Sequence, residues 1–518
     1  MDTARAGLAP GRRPARRWRP ARPGPDSGWW LVGAGLAFAV AQLAFVSLRM
    51  GLSWDETVYV SQVSGHAPAA WFDPARARGV PLLVAPVAWL TSSVAALRVY
   101  LAIASGLGLT LALWAWRTLR PAWVLGLAGI TFGGLWVAQY YGPQAMPDMG
   151  SALACLAAVG CFARVVGGGG VVGGAVGGRG ALAGVGISVA LVTLIRPGDA
   201  VYLAGPLLLV AVLAGTGLPG TGRGGGWGRG GGWGRGGGWG RGGGWGRRLA
   251  PAAVIIGGLV AGGAEWVIEA YLRFGGIASR LHAAAAEQGG FGLHFALVDE
   301  LRALNGPTLC RPCTIGVRSP ELDVWWLVLP VLVAVGIVAA RRAGQLTSAL
   351  LAAGCGLCLA AQYLFMIDYA APRFLLPAYA LLSIPVADGL AFAITAAGRD
   401  LRPAVTAFVT CFLVLQLFTQ HLVLDHEVGG TVTFHDDYTR IATVLAARGI
   451  RPPCLIQGVQ YIPIAWAAGC ASAGNATPGE PVAVLVQVRG QPPSYARKWR
   501  SFRITGTTIL KVNAYIQG

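Results

Sequence analysis

Two adjacent carboxylates, Asp55 and Glu56, stand in Gly51-Leu-Ser-Trp-Asp-Glu-Thr-Val-Tyr59, just past the first long apolar run. Beside a lipid surface such a pair is costly unless solvated, paired or put to chemical use. A carboxylate placed there can take the proton of an acceptor hydroxyl, which is the work of a membrane enzyme acting at the bilayer surface. The competing reading is a cap on an interfacial helix. Other segments offer more polar groups. Tyr59, Gln62 and His66 follow in the same loop, and Gln139, Tyr140, Tyr141, Gln144 and Asp148 come next. Arg196 lies near Asp199, Asp368 and Tyr369 near Arg373, and Glu265 and Glu269 sit one turn apart on one helix face. Each has a bland alternative. Asp148 follows Pro147 and could cap a helix, and Glu265 and Glu269 could pair with Arg273. Arg196 and Asp199 could form a local ion pair, Arg373 could snorkel to the interface, and His66 could serve loop structure.

The elements that must position these residues cross a membrane. The chain of 518 residues is 54% hydrophobic and 12% charged, about half the charge of a soluble protein. Apolar runs of about 20 residues, each long enough to span a bilayer, recur along its length. The fold class expected is an all-α polytopic membrane protein of about eleven helices with a small C-terminal extracytoplasmic α/β domain. The spans fall near residues 29–49, 95–116, 121–139, 148–165, 181–196, 200–215, 250–271, 324–340, 345–366, 374–396 and 403–423. Residues 80–94 are short and broken by proline, which suits a re-entrant or interfacial helix.

The formal charge of +19 comes almost wholly from Arg. These arginines cluster between apolar runs, so they read as topology determinants and nucleic acid is not an expected partner. With the N-terminus cytoplasmic, Arg117, Arg120, Arg164, Arg179, the Arg341-Arg342 pair, Arg399 and Arg402 all fall inside. The candidate residues then share the outer side of a plasma membrane, as does everything after 424. Shifting the helix count by one would break this pattern.

Residues 1–28 read as a disordered basic cytoplasmic tail and 29–215 as an N-terminal transmembrane catalytic module with its first outer loop at 50–94. The Gly/Arg/Trp repeats of 216–249 cannot form a core and read as a cytoplasmic linker. A second transmembrane module, 250–423, carries outer loop 272–323. In the extracytoplasmic domain, 424–518, an amphipathic helix is expected over 436–448, short strands at 453–457 and 482–487, and a hairpin within 502–515. Cys454–Cys470 and Cys310–Cys313 are the expected disulfides, an oxidising exterior permitting them.

An Asp-Glu pair soon after the first helix, with a second acid where the fourth begins, resembles the GT-C glycosyltransferases. The likeness is strongest to the branch of protein O-mannosyltransferases and the lipid A aminoarabinose transferase. Gly79-Val-Pro-Leu-Leu83 and Arg373-Phe-Leu-Leu-Pro377 fit the same pattern. The resemblance covers about 29–200 and 360–396, and stops short of the glycine-rich segment and the tail. It implies a sugar donor on a polyprenyl or dolichyl phosphate and an envelope glycan, lipid or protein acceptor. It implies Asp55 as general base or acceptor-orienting group, Glu56 as its support, Asp148 as the second acid and Arg373 at the donor phosphate. Tyr59, His66, Tyr141, Gln144, Arg196, Glu265 and Glu269 are substrate-binding candidates by their place on the outer side. One attacking face implies inversion. A divalent cation held by two or three carboxylates stays open, since the wider group differs on this point. Rival readings are a transporter or lipid flippase for envelope precursors, and a scaffold binding wall polymers through its tail.

Overall fold

The structure, a computed structural model, describes residues 28–167, 174–216, 245–290, 292–472 and 479–517. The expected tail over 1–27 and the repeats over 217–244 lie outside the described residues. From the N-terminus, α1 (Gly28–Phe45) leads into α2 (Trp54–Ser61) and α3 (Gly79–Ala88), then α4 (Val94–Trp114), α5 (Ala122–Gly133) and α6 (Trp136–Tyr141). Next come α7 (Pro147–Val166), α8 (Gly174–Ile195), α9 (Pro197–Thr216) and α10 (Trp245–Arg273). The second half runs through α11 (Ile277–Glu287), α12 (Leu297–Ala303), α13 (Val324–Arg342), α14 (Leu346–Phe365), α15 (Leu376–Ala396) and α16 (Arg402–Ala447). Among the described residues nine helices are long and apolar enough to cross a membrane, and the chain is a polytopic membrane protein.

The expected span 121–139 is two helices. Gly133 and Gly134 interrupt it, Leu135 is extended, and Gln420 on α16 accepts the freed Trp136 N–H at 2.9 Å. At about 1.5 Å per residue, the 12 residues of α5 fall short of a bilayer core of about 30 Å. Residues 79–88 form the short helix expected there.

Helix α15 is buried along its whole membrane window and packs on α5, α7, α13, α14 and α16. Small residues allow this closeness. A Cβ on Gly336 of α13 would lie 1.7 Å from the Pro385 carbonyl oxygen, so only glycine lets α13 and α15 touch. Arg120, after α4, donates to Asp388 on α15 at 2.7 and 2.8 Å and to Ser348 on α14 at 2.9 Å. The last span but one is therefore not charge-free, as its apolar sequence suggests; its buried acid is neutralised by a partner 268 residues away.

The membrane helix expected over 403–423 and the amphipathic helix over 436–448 are one 46-residue helix, α16. No proline interrupts 424–435, and a 2.7 Å bond between Thr431 and Tyr140 ties this stretch to α6. Beyond it, α17 (Tyr461–Ala468) lies between β1 (Leu455–Gly458) and β2 (Val482–Gln487), followed by β3 (Arg500–Arg503) and β4 (Val512–Ile516). The sheet order is β1-β2-β4-β3, with β1 and β2 parallel and the others antiparallel. Tyr438, Ile441 and Leu445 of α16 share a core with Ala483, Leu485 and Ala514 of the sheet. Asp437 accepts three backbone N–H groups, from Thr508, Ile509 and Leu510, each at 2.7 Å. Both expected disulfides are formed, Cys310–Cys313 and Cys454–Cys470.

Candidate active site

Ser53 and Glu56 close a capping box at the start of α2, each side chain bonding the other's backbone N–H. Glu56 faces inward and is wholly buried against Arg98 of α4. Its Oε2 lies 2.9 Å from Arg98 Nη2, and its Oε1 accepts the Ala145 N–H at 2.9 Å. Arg98 also donates to the carbonyls of Gly51 (2.7 Å) and Pro143 (3.0 Å). This acid thus clamps α2, α4 and the approach to α7 together, and it points away from solvent.

Successive helix residues diverge by about 100°, so the clamp that turns Glu56 inward turns Asp55 out. Asp55 keeps 29% of its side chain exposed and meets two guanidinium groups, Arg76 at 2.7 Å and Arg373 at 3.0 Å. Arg373 Nε lies 3.7 Å from Asp148 Oδ2, an oxygen with no hydrogen bond of its own. Asp148 is wholly buried at the start of α7; it caps nothing, and its Oδ1 pairs with Arg196. Arg196 in turn stands 3.6 Å from Asp199, which accepts from Ser151 (2.6 Å), Gln362 (2.8 Å) and Tyr363 (2.5 Å). Acids and arginines thus alternate from Asp55 through Arg373, Asp148 and Arg196 to Asp199, drawn from four separate parts of the chain.

Aromatic rings wall this row. Arg373 lies 5.7 Å from the Tyr141 ring centre, Arg196 lies 4.9 Å from that of Phe374, and Arg76 lies 4.9 Å from that of Tyr59. The segment bearing Arg373 is held from behind. Glu300 accepts the Ala371 N–H at 3.3 Å, and the disulfide residue Cys310 pairs by backbone with Ala370. Burial pushes the Glu300 carboxyl up to about 8.

The remaining candidates sit elsewhere. Glu269 accepts from Arg78 (2.6 Å), Arg280 (2.9 Å) and Arg273 (3.0 Å), with Glu265 4.0 Å from Arg78. This second cluster meets the first through the 73–78 loop and through Gln62 at the end of α2, which accepts from Arg78 at 2.9 Å. Arg280 holds that loop by the carbonyls of Pro74 and Arg76. The His66 ring meets the Trp466 carbonyl at 3.1 Å and fastens the first loop to α17. Gln144 donates to its own turn, at the Tyr140 carbonyl, 2.9 Å away.

Sequence reasoning passed over Arg76, Arg78, Arg98 and Tyr363. The alternation Asp73-x-x-Arg76-x-Arg78 was a legible sign, and so was Arg98, a lone charge in an apolar helix that demands a partner. Among the described residues no group of three or more His, Cys, Asp or Glu could hold a metal ion. Asp55 gives both oxygens to arginine and Asp148 gives one, its Oδ2 standing 3.7 Å from Arg373, whereas a hard divalent cation needs about six or more oxygen ligands. The donor set does not fit the cation left open above, and no step is derived through one.

Burial alone would raise the Asp55 carboxyl, but Arg76 and Arg373 outweigh it and hold the group below the ordinary aspartate range. A depressed acid contributes stability above its unfolded value of about 3.9 and loses it as pH falls through the folded value. The melting-temperature gap between wild type and Asp55→Asn should therefore stay constant from about pH 8 to 5 and shrink only below about pH 4. A gap that closes between pH 7 and 5 would show the arginines do not hold the acid.

No protein-family model matches this chain, and no curated protein matches it. Among solved structures, ArnT from Cupriavidus metallidurans bound to undecaprenyl phosphate superposes over 94% of this chain and 98% of its own, with TM-score 0.63 and 14% identity. The apo state of that ArnT superposes over 94% and 97%, with TM-score 0.56 and 14% identity. At such identity the likeness speaks to architecture, helices and tail alike. The fold of this chain is the GT-C fold of those ArnT structures.

Proposed function

We propose that this protein is an integral-membrane glycosyltransferase that moves a sugar from a polyprenyl-phosphate donor to a hydroxyl of a cell-envelope acceptor. The reaction takes place on the extracytoplasmic side of the plasma membrane, with the N-terminus cytoplasmic. The observation that carries the reading is Arg373, a single guanidinium shared by Asp55 and Asp148 at the common end of α7 and α15. The ArnT structure was solved with undecaprenyl phosphate, a ligand of the chemical class the arginine row would take.

Asp55 paired with two arginines is a weak base. A donor phosphate arriving at the site competes for Arg373 with two oxygens in the fork geometry a guanidinium prefers. Asp55 then loses a partner and gains basicity when an acceptor hydroxyl is needed. The acceptor oxygen attacks the anomeric carbon, its proton passes to Asp55, and the carbon–oxygen bond to phosphate breaks. Polyprenyl phosphate leaves with the bonding electrons, stabilised by Arg373, and the anomeric centre inverts. No second carboxylate acts as nucleophile.

Arg373→Lys tests this. Lysine keeps the charge but loses the bidentate fork. With labelled polyprenyl-phosphate sugar, turnover should fall about 10²-fold and donor KM should rise. Full transfer by the lysine variant would remove Arg373 from the phosphate.

A further inference from the structure

The C-terminal sheet is covered on one face by helices and on the other by the segment carrying Ala496 and Trp499, whose margin is exposed. Directly paired strand residues share a face. Ala483, Leu485 and Ala514 face the core built with α16 and α17. The opposite face takes Gln457, Val484 and Tyr515 in one row across the strands, and Val486, Asn513 and Arg503 in the next. Among the described residues no α-helix covers it. Its two valines are screened by Ala496, Trp499 and Tyr515. Tyr495 and Trp499 form an edge-to-face pair at 5.7 Å on its margin, and Tyr495 stands 57% exposed with its hydroxyl donating to Gln457 at 2.9 Å.

Charge on this unit is lopsided. From residue 449 onward Glu480 is the only acid, against Arg451, Arg489, Arg497, Lys498, Arg500, Arg503 and Lys511. Arg497, Lys498 and Arg503, beside the aromatic pair, are all exposed. Membrane topology does not require this charge, because large domains translocate regardless of it.

We infer that the exposed tyrosine and basic side chains along this margin bind an acidic glycan, a polysaccharide bearing carboxylates. The inference rests on the extracytoplasmic placement in the proposed function. The exposed Tyr495 ring offers a flat apolar face to the C–H face of a pyranose, amide side chains meet its hydroxyls, and the guanidinium and ammonium groups meet its carboxylates. The margin would hold a growing acidic chain near the transfer site and raise its local concentration there.

The test uses the purified full chain in phosphatidylcholine nanodiscs, with polygalacturonate as probe, dextran as the neutral control and phosphatidylglycerol vesicles as the lipid control. Polygalacturonate should bind in a salt-sensitive way and dextran should not. Tyr495→Ala, and separately Lys498→Gln with Arg503→Gln, should each weaken binding about tenfold. Both sets lie on exposed positions, so an unchanged melting temperature shows that the sheet survives. Equal binding by the variants, equal binding of dextran, or capture of the vesicles in place of the glycan would each overturn the inference. Binding needs no donor turnover. Loss of binding with sugar transfer intact sinks the glycan site alone, whereas binding without transfer sinks the enzyme reading alone.

Discussion

Asp55→Asn will lower sugar transfer from a polyprenyl-phosphate donor by about 10²- to 10⁴-fold, the usual weight of a positioned general base. The substitution is nearly isosteric and removes only the negative charge. The amide oxygen of the variant can still accept from Arg76 and Arg373, which reach Asp55 at 2.7 and 3.0 Å, so the geometry should hold. Both arginines would be left with more net positive charge facing the donor. Donor KM should therefore stay level or fall while kcat collapses, the pattern of an interaction used only in the transition state. A variant that merely disrupted the site would raise KM as well. Wild-type transfer by Asp55→Asn would remove the base from the mechanism; a rise in KM with kcat unchanged would recast Asp55 as a donor-binding group.

Arg98→Met should be the most destabilising single change near the site, costing about 3–5 kcal/mol. Arg98 and Glu56 bury each other almost completely. Removing the guanidinium leaves a carboxylate with no cation, and also strips donors from the carbonyls of Gly51 and Pro143. Glu56→Gln in the same background should recover part of the loss, because breaking one half of a buried pair costs more than replacing both. Thermal unfolding in detergent measures both effects. Neighbouring acids should thus differ: Asp55→Asn loses rate with little stability, whereas disturbing the Glu56 pair loses stability first. If Arg98→Met melts with the wild type, the clamp does not order α2, and some other contact must aim Asp55.

Much of this protein was legible in the chain because membrane insertion writes itself into composition. A segment without water must satisfy its backbone internally, so apolar runs of sufficient length are helices. Ten of the eleven expected spans are single helices, and the exception, 121–139, breaks where Gly133 and Gly134 remove the stiffness that a crossing needs. The strands at 455–458 and 482–487 and both disulfides followed from similarly local signals. The continuity of α16 was less legible, since polarity changes at 424 and the helix does not.

The candidate site divides differently. Sequence alone marked Asp55, Asp148, Arg196 and Arg373 as outward, ionisable and costly to leave unpaired. It could not say that Arg373 would sit between Asp55 and Asp148, or that Glu269 would gather three arginines elsewhere, because pairing is decided between residues hundreds of positions apart. Nor could it separate Glu56 from Asp55, which are adjacent and chemically alike. The tertiary structure separates them through Arg98, a residue hidden in an apolar helix. In low dielectric each buried charge must find an opposite one, and which one it finds depends on helix rotation and packing that no local pattern encodes.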